Sequence, residues 1–206
     1  MKTLLSVLTL SVIVAGVAHA EIKTEEVDYA HDDLALQGFF AYDASAEGKR
    51  PGVLRVHAWR GHGDNVREKA KKIASLGYVA FALDMYGKGV YAKDNQEASQ
   101  KAGVFYGDRA LMLTRARAGL TQLRKHAKVD ADRIGAIGFC FGGTVVIQLA
   151  RAGEDLDGVV SFHGGLKFPE APAKGAVKAK VLVCHGADDP YVPPEDVLKF
   201  WKEMAA

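Results

Sequence analysis

The chain has 206 residues, and its 27 Lys and Arg residues nearly balance 25 Asp and Glu residues, for a formal net charge of +2. This balance excludes the strongly basic composition that is typical of nucleic-acid-binding and membrane-surface proteins. The length suits one domain with a substantial hydrophobic core.

Residues 1–20, MKTLLSVLTLSVIVAGVAHA, have the organisation of a secretory signal peptide. Lys2 gives a basic start, an apolar run follows, and Ala18-His19-Ala20 resembles a cleavage site. The apolar run is too short for a membrane span, and no later segment reaches the roughly 18 apolar residues that a span needs. We therefore expect cleavage after Ala20 and a periplasmic or secreted mature chain with no membrane span.

Apolar runs typical of strands alternate along the chain with segments of helical period. Residues 21–30 and 33–44 predict an antiparallel hairpin, which the strand GVLRVHAW follows. Asp64 is expected to cap the helix DNVREKAKKIASL, and Gly77 to end it. The later elements are predicted, in chain order, as the strand YVAFALD, the helix GDRALMLTRARAGLTQLRKHA, the strand RIGAIGFC, the helix FGGTVVIQLARAG, the strands LDGVVSFHG and AKVLVCHG, and the helix PEDVLKFWKEMAA.

Strands that are apolar on both faces and are joined through helices require a parallel sheet covered on each side. The predicted fold class is therefore α/β, with a mostly parallel sheet, helices on both faces and the N-terminal hairpin at one edge. No repeat or linker divides residues 21–206, which we interpret as a single domain. About twenty residues after Asp84 form a long connection, and we expect it to be functional or partly helical.

The segment Gly138 to Gly143, GFCFGG, lies between a predicted strand and a predicted helix. This pattern is typical of a nucleophile elbow, in which a sharp turn raises the central side chain above the sheet. Cys140 is the central residue, so we expect it to be a nucleophile whose pKa the helix N-terminus lowers. The N–H of Phe141 is then directed at a developing oxyanion.

Two alternatives for Cys140 are a small buried apolar residue and half of a disulfide with Cys184. Cys184 belongs to a separate strand, about two strand spacings from Cys140 in the expected sheet. That separation is too large for a disulfide.

An acid that orients the catalytic base is predicted after the last strand. Gly186 to Pro193, GADDPYVP, matches G-x-x-D-x-x-V-P and puts Asp189 at the carboxyl edge of the sheet. Asp188 is the second candidate.

The blocks VHAWRG, LGYVAFALDMYGKG, IGFCFGG, VSFHGG and GADDPYVP together resemble the dienelactone hydrolase family of α/β-hydrolases, in the same order. The resemblance implies hydrolysis of an ester or lactone, with Cys140 as nucleophile and Asp189 as acid. It implies that Trp59 and Phe141 supply the oxyanion N–H groups.

The resemblance also gives expectations about the ligand. Lys88 falls where the family often has a basic residue near the substrate carboxylate, and Arg60 lies in the oxyanion loop, so an anionic small-molecule substrate is expected. The family chemistry needs no metal and no organic cofactor. Nothing in the sequence indicates an oligomeric state or a nucleic-acid partner.

The chain departs from the family pattern at two places. Ala58 stands where the family commonly has a glutamate that takes part in thiol activation. The family histidine follows one more strand, beyond Ala206, so we interpret the chain as lacking the C-terminal part that carries it. Among the remaining histidines His57, His62, His163 and His185, the best substitute is His163, because its strand is expected between those of Cys140 and Asp189.

Two other functions fit parts of the sequence. A non-catalytic small-molecule-binding protein on a hydrolase scaffold is the main alternative, since fold alone does not determine chemistry. A redox thiol is less favoured because the chain has no C-x-x-C motif.

Overall fold

The computed structural model describes residues 20–205. The predicted signal peptide lies, apart from Ala20, outside the described residues, so export remains a prediction. Within the described range the strands are β1 (Ile22–His31), β2 (Leu34–Asp43), β3 (Arg50–Val56), β4 (Val79–Leu83), β5 (Val129–Phe139), β6 (Gly158–Phe162) and β7 (Lys180–Cys184). The helices are α1 (Asp64–Ala74), α2 (Asn95–Gly107), α3 (Arg109–Lys125), α4 (Phe141–Arg151) and α5 (Pro194–Met204). None of these helices combines the length and apolar composition needed to cross a bilayer.

The strands form one sheet in the order β1-β2-β4-β3-β5-β6-β7. β2 pairs antiparallel with both β1 and β4, whereas the remaining pairs are parallel. The predicted α/β fold, with a mostly parallel sheet and an antiparallel N-terminal hairpin at its edge, is confirmed.

The sheet changes its direction of growth at β3. From β3 the chain adds β4 on one side and then crosses to the other side to add β5, β6 and β7 in turn. Such a reversal opens a crevice between the carboxyl ends of the two diverging strands, here β3 and β5. Trp59 follows β3 and Cys140 follows β5, so the topology brings these two predicted site residues to the same crevice.

Helices cover both faces of the sheet, with cores of different size. On one face α3 and α4 pack around large apolar side chains such as Leu83, Leu120 and Val145. On the other face α1 packs on β2 and β4 through small side chains such as Ala70 and Ala80. The larger core therefore lies under α4, the helix that begins next to Cys140.

Aspartate caps fix the starts of two helices. The side chain of Asp94 accepts a hydrogen bond from the Glu97 N–H at 2.8 Å, and Asp108 accepts from the Leu111 N–H at 2.8 Å. The first cap begins α2 inside the long connection after Asp84, which is therefore partly helical. The predicted cap at Asp64 is wrong: Gly63 holds the N-cap position without a side-chain bond, and Asp64 is the first helical residue.

A buried ion pair attaches α5 to the rest of the domain. Arg151 at the end of α4 donates to a Glu203 carboxylate oxygen at 2.5 Å and also to the Glu170 carbonyl. Its guanidinium lies 4.2 Å from the centre of the Phe168 ring. The only buried residue of α5 is Phe200, so the ion pair carries much of the attachment.

We expect Glu203→Ala to destabilise the domain by about 3 kcal/mol, because it leaves the buried Arg151 charge without its partner. Lys199→Ala, on the exposed side of the same helix, should change the free energy of unfolding by less than about 0.5 kcal/mol. Urea unfolding followed by circular dichroism measures both. Equal, small effects of the two substitutions would show that the ion pair does not hold α5.

Candidate active site

The turn between β5 and α4 has the geometry of a nucleophile elbow. Cys140 has φ 53° and ψ −119°, a strained conformation for a residue with a side chain, and its N–H donates to the Phe162 carbonyl at 2.8 Å. A Cβ at position 138 would lie 2.0 Å from the Gly142 carbonyl oxygen, and a Cβ at position 142 would lie 2.5 Å from the Val56 carbonyl oxygen. The backbone segments approach so closely that only glycine, which has no Cβ, fits at positions 138 and 142.

Cys140 opens into a cavity of about 770 Å³ at the carboxyl edge of the sheet. Trp59 from the β3 loop, His163 from the end of β6 and Tyr191 from the β7–α5 loop share its lining. Tyr106 of α2 also lines the cavity. The long connection after Asp84 therefore supplies a wall of the cavity.

Asp189 is hydrogen-bonded to His163. The His163 Nδ1 contacts the Asp189 Oδ2, and the other carboxylate oxygen accepts the Tyr191 N–H at 2.9 Å. Burial raises the pKa of the Asp189 carboxyl, but the bonds from Tyr191 and His163 outweigh it and leave the pKa below its ordinary value. Asp189 is thus ionised at neutral pH. Asp188, the second candidate acid, is exposed.

His163 lies between Cys140 and Asp189, because β6 separates β5 from β7. Its φ of 55° is unusual for a residue with a side chain, and its N–H donates to the Cys184 carbonyl at 2.9 Å. An ionised carboxylate only accepts hydrogen bonds, so the Nδ1 of His163 carries a proton, and in the neutral ring the Nε2 is then an acceptor. The strand order predicted from the sequence accounts for this position.

The other candidate histidines have different surroundings. His57 is fully buried, donates from Nδ1 to the Ala58 carbonyl at 2.7 Å and accepts the Met85 N–H at 3.1 Å. Burial lowers its pKa to about 4, so it is neutral at pH 7. His62 bonds to the Ala82 carbonyl at 3.0 Å. His57 and His62 are therefore held by hydrogen bonds to the backbone and not by a catalytic partner.

His185 also approaches the acid. Its Nδ1 lies 3.8 Å from the Asp189 Oδ2, and neither ring nitrogen has a hydrogen-bond partner among the described residues. Asp189 is thus flanked by two histidines, of which only His163 reaches hydrogen-bond distance.

The thiol environment differs from the expectation of a lowered pKa. Burial raises the pKa of Cys140 above its ordinary value, the Phe141 N–H bond to the sulfur acts in the opposite direction, and the Asp189 charge raises it further. At the helix N-terminus, desolvation therefore outweighs the hydrogen bond from Phe141, and the resting thiol is neutral. Cys140 and Cys184 are both free, which agrees with the intervening strand β6.

The β3 loop that carries Trp59 is held by hydrogen bonds. The Tyr86 hydroxyl donates to the Trp59 carbonyl at 2.9 Å, and the Gly61 N–H donates to the Ala58 carbonyl at 3.1 Å. Ala58 lines the cavity, at the position where the family resemblance implies a glutamate.

The cations near the cavity differ from those expected. Lys88 donates to an Asp28 carboxylate oxygen at 2.5 Å, and Arg60 donates to the Asn95 side chain at 2.7 Å. Neither lines the cavity, because β1 and the start of α2 hold them. The lining instead includes Arg109, at the start of α3, and Lys167, after β6. The sequence analysis predicted neither, because no local pattern marks them as cavity residues.

Residues 20–205 contain no group of three or more His, Cys, Asp or Glu side chains arranged to hold a metal ion.

The raised pKa predicts slow alkylation of Cys140 at neutral pH. In a Cys184→Ser variant, the rate of reaction with iodoacetamide should rise with pH through a midpoint above the roughly 8.5 of a free cysteine. The thiolate is the reactive form, so a raised pKa reduces its fraction at pH 7. A midpoint below that of a cysteine-containing peptide, measured in parallel, would contradict the assignment of a neutral resting thiol.

Comparisons with known proteins agree with the fold. Residues 36–206 match the Dienelactone hydrolase family. A solved structure named "m3DLH" is 40% identical, with a TM-score of 0.85, over 89% of this chain and 77% of that chain. A dienelactone hydrolase-like promiscuous phosphotriesterase from metagenomic libraries is 38% identical, also with a TM-score of 0.85, over 89% and 77% of the two chains.

A Bradyrhizobium relative named "Probable 2-oxo-3-(5-oxofuran-2-ylidene)propanoate lactonase" is 29% identical over 76% of this chain. The chain spans 66% of the length of that relative. The match to the family extends from β2 to the end of the sequence and includes the elbow and the loop of Asp189. This chain therefore belongs to the dienelactone hydrolase family.

Proposed function

We propose that this chain hydrolyses carboxylic ester or lactone bonds with Cys140 as the nucleophile. The observation that carries the proposal is one constellation: Cys140 and His163 line the same cavity, and Asp189 is hydrogen-bonded to His163. A nucleophile, a base and an acid that orients the base are the groups that acyl transfer requires. The lactonase name of the Bradyrhizobium relative supports the same class of substrate.

The reaction begins with the neutral thiol. The unprotonated Nε2 of His163 accepts the thiol proton as the sulfur attacks the substrate carbonyl, and the Asp189 carboxylate stabilises the imidazolium. The oxyanion accepts hydrogen bonds from the Phe141 and Trp59 N–H groups. The carbon–oxygen bond breaks, the departing oxygen takes the proton from the imidazolium, and a thioester remains. The same histidine then deprotonates a water that adds to the thioester carbonyl; the carbon–sulfur bond breaks, the acid is released, and the sulfur takes the proton back from the imidazolium.

A substrate-induced deprotonation fits the surroundings of Cys140. Its raised pKa keeps the resting thiol protonated, and Ala58 offers no carboxylate for thiol activation. The proton must therefore move to a histidine during attack. His163 is the base that the described residues offer. The catalytic histidine that the family resemblance implies is the competing candidate.

Arg109 and Lys167 support an anionic substrate. Both line the cavity, and neither forms an ion pair with a carboxylate of residues 20–205. The Arg109 guanidinium lies 5.2 Å from the ring centres of both Tyr106 and Phe168, which fixes its position. Asp196 is an acid in the same lining. A planar guanidinium without a counter-ion is suited to a carboxylate on the substrate.

We expect Cys140→Ala to abolish hydrolysis of 4-nitrophenyl acetate, with a loss of about 10³-fold or more in kcat. Cys184→Ala, the matched control, should retain activity. Mass spectrometry of the wild-type protein quenched during turnover should find one acetyl group on Cys140. Turnover without a Cys140 adduct would contradict Cys140 as the nucleophile, whereas the absence of turnover would favour the non-catalytic binding protein.

His163→Gln tests the base separately. If His163 accepts the thiol proton, the variant should lose about 10²-fold or more in kcat/KM at pH 7, because general base catalysis contributes about that much. His185→Gln is the control, since His185 is not hydrogen-bonded to Asp189. A loss below tenfold in His163→Gln would assign the base to another histidine and leave Cys140 as the nucleophile.

Arg109→Gln should lower kcat/KM for a mono-4-nitrophenyl ester of glutaric acid by about tenfold or more, since a charge-assisted bond contributes about 1.5–3 kcal/mol. Its activity on neutral 4-nitrophenyl acetate should change little. Lys88→Gln, which alters a cation outside the cavity, should leave both substrates unchanged. A loss confined to Lys88→Gln would restore the position expected from the sequence.

A further inference from the structure

His57, directly after β3, uses both of its ring nitrogens to bind backbone groups. Its side chain is fully buried and neutral at pH 7, and a neutral imidazole has one donor and one acceptor. The Met85 N–H donates to Nε2 at 3.1 Å, so Nδ1 carries the proton and donates to the Ala58 carbonyl at 2.7 Å. The steps of acyl transfer proposed above leave this ring without a role.

The Ala58 carbonyl belongs to the same peptide group as the Trp59 N–H. The bond between the two residues is trans, and a planar trans peptide directs its carbonyl and its N–H in opposite directions. The Ala58 carbonyl accepts the His57 Nδ1–H and, at 3.1 Å, the Gly61 N–H. These two bonds fix the plane of the peptide group and direct the Trp59 N–H away from the buried ring of His57.

The Trp59 N–H is left free for a ligand. Among residues 20–205 it donates no hydrogen bond, and the Trp59 carbonyl accepts only the Tyr86 hydroxyl. Ala58, Trp59 and Cys140 line the same cavity. The free N–H is therefore available to a substrate atom that lies near the sulfur.

Tyr86 fixes the next peptide group of the same loop. Its hydroxyl donates to the Trp59 carbonyl at 2.9 Å, and its own N–H donates to the Asp84 carboxylate at 2.9 Å. The Tyr86 ring meets the His57 ring edge-on, with 4.7 Å between ring centres. The peptide groups on both sides of Trp59 are thus held from the segment that follows β4.

We propose that His57 and Tyr86 are positioning residues that orient the Trp59 N–H toward the substrate oxyanion. This inference rests on the proposed function. A hydrogen bond weakens steeply when its angle departs from linearity, so the tilt of one peptide plane sets the strength of the bond to the oxyanion. The oxyanion forms only as the sulfur adds to the carbonyl. Misorientation of the N–H therefore slows acylation of Cys140 without weakening the binding of the ester.

Two amide substitutions separate the two bonds of the His57 ring. Asparagine places its amide near the position of Nδ1, and glutamine places its amide near the position of Nε2. His57→Asn can therefore donate to the Ala58 carbonyl but leaves the Met85 N–H unpaired, whereas His57→Gln does the reverse. Each variant loses one hydrogen bond of the buried ring, so a merely structural role predicts equal effects of the two substitutions.

The burst of 4-nitrophenolate from 4-nitrophenyl acetate measures the rate constant of acylation. We expect His57→Gln to lower it about tenfold or more, since loss of a complete oxyanion donor costs about 10²-fold or more, and His57→Asn to lower it less than about threefold. The dissociation constant of the ester should change less than about twofold in both variants. Equal losses, or a larger loss in His57→Asn, would overturn the role of His57.

Tyr86→Phe provides a second arm that removes one oxygen atom and keeps the ring. We expect acylation about fivefold slower, the effect of losing one hydrogen bond, with an unchanged dissociation constant of the ester. Tyr42→Phe is the control, because the Tyr42 hydroxyl donates to Glu25 beside the start of β4, away from the carboxyl edge of the sheet. A wild-type rate in Tyr86→Phe would reject Tyr86 as a positioning residue.

The wild-type protein distinguishes failure of this inference from failure of the proposed function. Absence of both a burst and an acetyl group on Cys140 in the wild-type protein would contradict the proposed function itself. A wild-type burst with equal losses in His57→Gln and His57→Asn would overturn only the positioning role.

Discussion

The close approach of two backbone segments at the end of β5 is the constraint on which the site depends. Gly138 packs against the carbonyl of Gly142, and Gly142 packs against the carbonyl of Val56 on β3. A side chain at either glycine would separate β5, α4 and β3. The strained φ of Cys140 is tolerated because these contacts, and the bond to the Phe162 carbonyl, determine the path of the chain on both sides.

At this turn, desolvation raises the pKa of the Cys140 thiol, whereas the Phe141 N–H lowers it. The position that exposes the thiol to substrate also removes much of its water, and the single Phe141 N–H does not compensate for that loss. The negative charge of Asp189 makes a resting thiolate still less favourable. The same carboxylate holds His163 in the tautomer that can accept a proton. In the proposed reaction, Asp189 thus disfavours the thiolate at rest and favours the proton transfer that forms it during attack.

The alternation of strands and helices was predictable from the sequence, because buried parallel strands and amphipathic helices have different apolar periods. The elbow and the Asp189 loop were predictable because each directly follows a predicted strand. Helix α2 was predicted only as part of a long connection, although the Asp94 and Glu97 pair is a capping signal. The cations of the cavity were missed because Arg109 reaches it only through the packing of α2 and α3, which no local pattern encodes. The direction of the Cys140 pKa was also missed, since burial depends on every neighbour of the sulfur.

The position of Asp189 in the fold has a consequence for how the proposed activity would respond to partial unfolding. Cys140 rests on the large core beneath α4, whereas Asp189 lies between β7, whose Leu182 is 55% exposed, and α5, which buries only Phe200. Regions with few buried contacts open at a lower free energy than the domain as a whole. Local opening of this last portion would carry Asp189 away from an elbow that stays intact. Catalytic competence and global folding would then be separate equilibria, with the first lost before the second.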